Sequence, residues 1–354
     1  MDTLVYELDP KGDIFLVLDN VSQDLPPNLR DIISSPGWPN ELSNPAPPES
    51  DLNVIRKPAD EGRAPRRALQ IRASSKHLIL SCAQFERSLQ DRFQEGTALK
   101  ATGRLKFPVQ DWEAIPFLIL MLIIHHRSRM VPRELSLDRI VEMARLVDYY
   151  ECYEAVEPFV DSWLISRNIK SLSSTYWIPG SVGSAEKWVF ISWVFNEAKP
   201  FKDASIYLES KSTGMITFNE LPVPRSIQDA INSSRRALIS GIIDSVQNIF
   251  SKLRDGPEQC SEECECTLLG ALTKAMHRNG ILSLDSSSSF EGFSFTQLAQ
   301  DCRNIKTPQH SCRKPSSYDR CTISGKVDPL LRNVEKLNVG LDISKFAELR
   351  SPHS

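Results

Sequence analysis

Several features that would have announced a function are missing from this chain. No glycine-rich loop follows a strand run, so no phosphate cradle is expected. No repeat recurs at a fixed period, which argues against solenoid or propeller arrays. The longest apolar run, Ile115 to Ile124, is about half of a membrane span and contains Pro116. The first residues hold Asp2 and Glu7 and no apolar stretch, so a secretory leader is not expected. Net charge is only -3, which gives no reason to expect a nucleic acid or an anionic membrane as partner. No Ser/His/Asp or Cys/His arrangement stands out, Ser81-Cys82 has no matched base, and no catalytic role is expected.

What is present suits an intracellular globular protein, cytoplasmic or nuclear. The 354 residues are 41% hydrophobic and 25% charged, ordinary values for a soluble fold, and the length suggests about two domains. In a reducing compartment the eight cysteines are expected to be thiols or metal ligands in place of disulfides.

The expected fold class is α+β. Ile14 to Leu18 is a continuous apolar run read as a strand buried on both faces. Residues 21–67 carry nine prolines (26, 27, 36, 39, 45, 47, 48, 58 and 65) and are expected to be a disordered insertion. The basic residues Arg56, Lys57, Arg63, Arg66 and Arg67 at its end could serve as a split nuclear-import signal, which keeps a transcription-associated nuclear factor as one alternative. A half-buried strand around Ile71 leads to a helix capped by Ser74 or Ser75, with Leu78, Ile79, Cys82, Phe85 and Leu89 on its core stripe. A polar turn is expected between Gln90 and Gly103, then a short strand from Leu105 to Phe107. Asp111 is the N-cap candidate of a helix apolar on every side, and two further helices meet near Asp148 to Glu151. His125 and His126, with Arg127 and Arg129, are read as a cationic helix end complementing the dipole. His77 is read as a hydrogen-bonded core or interface residue.

These pieces, as an ordered set over roughly a hundred residues, resemble the BTB/POZ fold, and in particular the fungal group of BTB-domain proteins. The matching features are Lys76-His77-x-x-Leu80 after a strand, Phe93-x-Glu95-Gly96, Leu105-x-Phe107-Pro108, Asp111-x-Glu113-Ala114 and Val147-Asp148-x-Tyr150. The chain departs from the common pattern in its long insertion and in the order Lys76-His77, where the histidine usually comes first. The resemblance implies a protein-interaction module spanning residues 1–165, which is expected to self-associate through apolar area left over on the first strand and first helix. It also implies, for the alternative of a substrate receptor in a cullin–RING ubiquitin ligase, that Phe93 and Glu95 would dock a cullin.

A linker at 166–184 separates this region from a mostly α-helical C-terminal domain at 185–312. There Trp188 to Phe195 must be buried, a short strand is expected within 206–218, and a long amphipathic helix begins near Ser226. Residues 313–354 read as a polar tail with one amphipathic helix near Leu330 to Phe346. The C-terminal half also holds Cys260-x-x-x-Cys264-x-Cys266, Cys302, His310-x-Cys312 and Cys321. Zinc favours four Cys or His ligands in a tetrahedron. Cys260, Cys264, His310 and Cys312 make the neatest structural set, with Cys266 or Cys302 as substitutes and ordinary thiols as the alternative.

Overall fold

A computed structural model describes residues 3–21, 67–166, 179–284, 289–309 and 321–349. Residues 22–66 of the proline-rich insertion lie outside them, with Arg56, Lys57, Arg63 and Arg66 of its basic run, as do His310 and Cys312; Val21 and Arg67, expected at the insertion's two ends, belong to strands instead. The architecture is α+β. The chain divides into two compact units, one of Met1–Thr175 with Leu349–Ser354, the other of Tyr176–Glu348. No helix among the described residues is long and apolar enough to cross a membrane.

The first unit is built on a four-stranded sheet of order β1-β3-β2-β4. Its strands are β1 (Thr3–Glu7), β2 (Ile14–Val21), β3 (Arg67–Ala73) and β4 (Leu105–Val109). β1 runs parallel to β3, β2 antiparallel to β3 and β4 parallel to β2. β2 is not buried on both faces. Ile14, Leu16 and Leu18 are buried, whereas Phe15 and Val17 are half-buried, so the apolar run obeys the two-residue period of a sheet with one covered face. On the other face Val5, Gln70, Val17 and Pro108 stand in cross-strand register, and Val5 is 50% exposed.

The helix expected after β3 is broken in two, α1 (Ser75–Ser81) and α2 (Ala83–Ser88), by an extended Cys82 (φ -135°, ψ 111°). Ser74 occupies the N-cap position but makes no side-chain cap. Asp13, just ahead of β2, supplies it instead, accepting from the Ser75 N–H at 2.8 Å and the Ser75 hydroxyl at 2.6 Å. A carboxylate there answers both the open N–H groups and the positive helix end.

The expected polar turn holds a helix, α3 (Gln94–Thr102). Gly96 lies inside it because the chain passes the Gln90 carbonyl so closely that a Cβ would sit 2.2 Å from that oxygen. Gly103, at φ 68°, ends it in the left-handed conformation.

α4 (Ala114–Ile124) is the centre of the unit, with every residue from Pro116 to Ile124 buried. It touches α1 and two later helices, α5 (Leu137–Tyr150) and α6 (Tyr153–Ser166). Asp111 is not its cap: that residue has φ 65° and lies outside the helix. Glu113 precedes the helix and pairs with Arg139 at 2.6 Å. Ser136 caps α5, accepting from the Arg139 N–H, and Glu151 at φ 52° turns the chain into α6. Arg87 grips Glu151 through two bonds of 2.9 and 2.7 Å. Phe85 stacks on Tyr150 at 5.0 Å.

The second unit contains α7 (Val182–Val194), α8 (Ala198–Lys211), α9 (Arg225–Asp255), α10 (Glu262–Arg278), α11 (Phe295–Arg303) and α12 (Ile323–Glu335). Trp188 to Val194 are buried as expected, and Phe195 at the end of the run is half-buried. The strand expected within 206–218 is absent: α8 runs through Lys211, and the extended piece beyond it pairs with a helix side chain. The Asn232 amide accepts from the Ile216 N–H and donates to the Ile216 carbonyl, both at 2.9 Å. A side-chain amide thus satisfies the backbone groups that a strand partner would have taken. α9, 31 residues long, is the spine. Leu238, Ile242 and Val246 on α9 share one core with Leu268 and Leu272 of α10, Leu298 of α11, and Ile323, Val327 and Leu331 of α12. The expected polar tail beyond 312 is therefore not separate from the domain: α12 belongs to this core, and it overlaps the amphipathic piece expected near Leu330 to Phe346 only at its end, Leu330 to Glu335.

Candidate functional site

The clearest cluster of metal-ligating side chains among the described residues is Cys260, Cys264 and Cys321, whose Sγ atoms all lie within 4.8 Å of one another. Two helix starts bring them together. Ser261 caps α10, accepting from the Cys264 N–H. This places Cys260 just ahead of the cap and Cys264 in the first turn. Thr322 caps α12, accepting from the Gly325 N–H at 3.1 Å, and Cys321 immediately precedes it. Cys264 and Cys321 are buried, and Cys260 is partly exposed. Positive helix ends favour thiolates, the form that binds metal. The three thiols lie close enough together to hold a metal ion.

The expected ligand set is thereby changed. Cys260 and Cys264 are brought together, but their companion is Cys321. His310 and Cys312 lie outside the described residues. Neither substitute joins the group of mutually close thiols: Cys266 is exposed, and burial pushes the Cys302 thiol up to about 12. Cys321 carried a sequence signal, since it precedes a capping Thr as Cys260 precedes a capping Ser.

In the first unit, Phe93 sits at the N-cap position of α3 and Glu95 in its first turn. Phe93 is 43% exposed, with the Arg92 guanidinium 5.0 Å from its ring centre. Glu95 is partly exposed. Both therefore reach the surface. So do Ile79 and Leu80 on α1, the latter 82% exposed. Ile79 does not belong to the core stripe, because the break at Cys82 leaves α1 only one buried apolar residue, Leu78.

No protein-family model, no curated protein and no solved structure matches this chain.

The histidines depart from expectation. His125 is buried, its Nε2 accepting from the Ser74 N–H at 3.0 Å and its Nδ1 lying 2.9 Å from the Met121 carbonyl. Burial lowers its pKa to about 4. It is a neutral acceptor holding the start of α1, not a cationic helix end. Arg127 donates to the Leu8 carbonyl at 2.6 Å. His77 packs edge-on against His125 and His126 at 5.1 and 5.9 Å. Its buried Nδ1 has no hydrogen bond among the described residues, and the ring is half-buried, so it is not the hydrogen-bonded core residue that was one of its two expected roles. Cys82 and Cys152, both buried, form a thiol pair in which the contact with Cys82 and burial raise the Cys152 pKa.

Proposed function

We propose that this protein is a non-enzymatic interaction module, that its first unit is a BTB/POZ-like domain, and that this unit binds a second copy of the chain. The supporting observation is apolar surface left uncovered on the first helix, Ile79 and Leu80 of α1, and on β1, a strand not foreseen, at Val5; Phe15 and Val17 of the expected strand, β2, are half-buried. A side chain as exposed as Leu80 gains about 25 cal/mol for each Å² of apolar surface it buries in an interface. In a two-fold dimer each such residue contributes twice. The test is the mass of the full-length protein in solution, by light scattering, for wild type and Leu80→Arg. A wild-type dimer and a folded monomeric variant are expected. A dimer that survives Leu80→Arg would remove α1 from the interface.

A second reading has its own observation. The exposure of Phe93 beside Glu95 at the start of α3 suits docking to a cullin scaffold, with the ring as anchor and the carboxylate orienting by charge. The second unit would then recruit the substrate.

The ion proposed for the three-thiol cluster is zinc, in a structural role. Three thiolates are a soft donor set, and zinc takes thiolate sulfur at about 2.3 Å in a tetrahedron. That geometry separates ligand sulfurs by about 3.8 Å, a short adjustment from the spacing seen.

A further inference from the structure

We propose that zinc on Cys260, Cys264 and Cys321 is the latch that seats the N-terminal half of α12 in the second unit, so that this helix docks only when metal is bound. This inference rests on the zinc reading above and goes beyond it, by naming what the metal controls.

The argument begins with how poor a helix α12 is by itself. Pro329 is an interior residue; it lacks the N–H that would bond the Gly325 carbonyl, and its ring crowds the preceding turn. Gly325, in the first turn, lowers helix propensity further. A 13-residue segment with both residues depends on tertiary anchors.

Those anchors divide between its two ends. Arg303 pairs with Glu335 at the C-terminal end, at 2.7 Å, and with Asp328 in the middle of the helix, at 3.5 Å. Val334 packs on α9 at Gly241, where even a methyl group would come within 3.2 Å of the valine. At the N-terminal end hydrogen bonds hold the helix. The Ile323 N–H donates to the Thr307 hydroxyl at 2.8 Å, and Lys326 Nζ reaches Gln259 Oε1 at 3.4 Å. Beyond these lies the thiol cluster, with Cys321 adjoining the cap of α12 and Cys260 and Cys264 bracketing the cap of α10. Ile323 and Val327, each 1% exposed, are the apolar residues that this end must keep in the core.

Binding releases the three Sγ protons to solvent as three Zn–S bonds form, with no change of oxidation state. The ion joins two helix starts that are 57 residues apart in sequence, counting from Cys264 to Cys321 (321 − 264). It thereby closes a long loop whose entropy otherwise opposes docking. The acids Glu262, Glu263 and Glu265 in the first turn of α10 place negative charge beside an incoming cation. Because Cys260 is partly exposed, the ion has a route in and out.

The experiment uses the full-length protein, purified without chelator. Zinc is measured by mass spectrometry of the elements, and amide exchange is followed in the loaded, chelator-stripped and zinc-restored states. One zinc per chain is expected in wild type and in Cys266→Ser, and loss of at least about a hundredfold in affinity in Cys321→Ser and Cys260→Ser. On stripping, amides of residues 323–335 should exchange at least about tenfold faster while those of central α9 hold, and zinc should restore the slow rates. Zinc that binds but leaves the exchange of α12 unchanged on removal would overturn the latch and spare the zinc reading. A wild-type protein without zinc, a Cys321→Ser protein that keeps it, or a disulfide seen as a mass loss would overturn both.

Discussion

The substitution Glu209→Gln should stabilise the second unit at pH 8 and leave it nearly unchanged at pH 4. Glu209 lies on α8 with none of its surface exposed, and neither carboxylate oxygen accepts a hydrogen bond of normal geometry among the described residues. The Ser234 hydroxyl offsets the cost only in part, and burial raises the acid from 4.5 to about 7. The folded state therefore holds the proton to higher pH than the unfolded chain does. Stability falls as pH rises from 4.5 to 7, and the full cost applies above that. At about 1.4 kcal/mol per tenfold change in the proton equilibrium, the ionised side chain costs the folded state about 3 kcal/mol. The glutamine amide is a neutral match for the protonated acid and avoids this. Urea unfolding of both proteins between pH 4 and pH 8, read through the buried Trp188 and Trp193, measures it. Parallel pH profiles, or a variant weaker than wild type at pH 8, would mean that a partner stabilises the carboxylate and the reasoning fails.

His125 predicts the opposite slope in the first unit. Its pKa is lowered from 6.5 to about 4, so wild type should lose stability as pH falls from 6.5 towards 4. His125→Leu should cost about 1–3 kcal/mol at pH 7.5 by orphaning the Ser74 N–H, and the gap should narrow with acid in the same urea titration. Glu95→Lys should abolish capture of a cullin by the tagged full-length protein while leaving its melting temperature within a few degrees; if wild type captures no cullin either, the ligase reading ends.

Much of the architecture was legible wherever a single physical signal dominated. The 3.6-residue period of Ile227, Ile231, Leu238, Ile242 and Val246 marks α9, and the all-apolar surface of Phe117 to Ile124 marks a central helix. What escaped was decided by groups distant in sequence. Asp13 caps α1 from the start of another strand, so the choice between Ser74 and Ser75 had no local answer. Asn232 supplies hydrogen bonds to Ile216 that resemble those of a strand. The turn expected at 90–103 hides α3, whose Gly96 is there for the closeness of the Gln90 carbonyl and does not break the helix. β1 is only five residues long, with Tyr6 its one buried side chain, too little for a periodic signal. The thiol site was half legible: Cys260 and Cys264 lie one helical turn apart, but Cys321 joins them through the packing of α12 on the core, which no local spacing encodes.

The central claim is that the first unit associates with a copy of itself. Sedimentation equilibrium of the full-length protein over a hundredfold range of concentration tests it most directly. The account predicts a mass that rises to twice that of the 39.9 kDa chain and reverts to one chain in Leu80→Arg. A wild-type protein that stays at the mass of one chain throughout would contradict it.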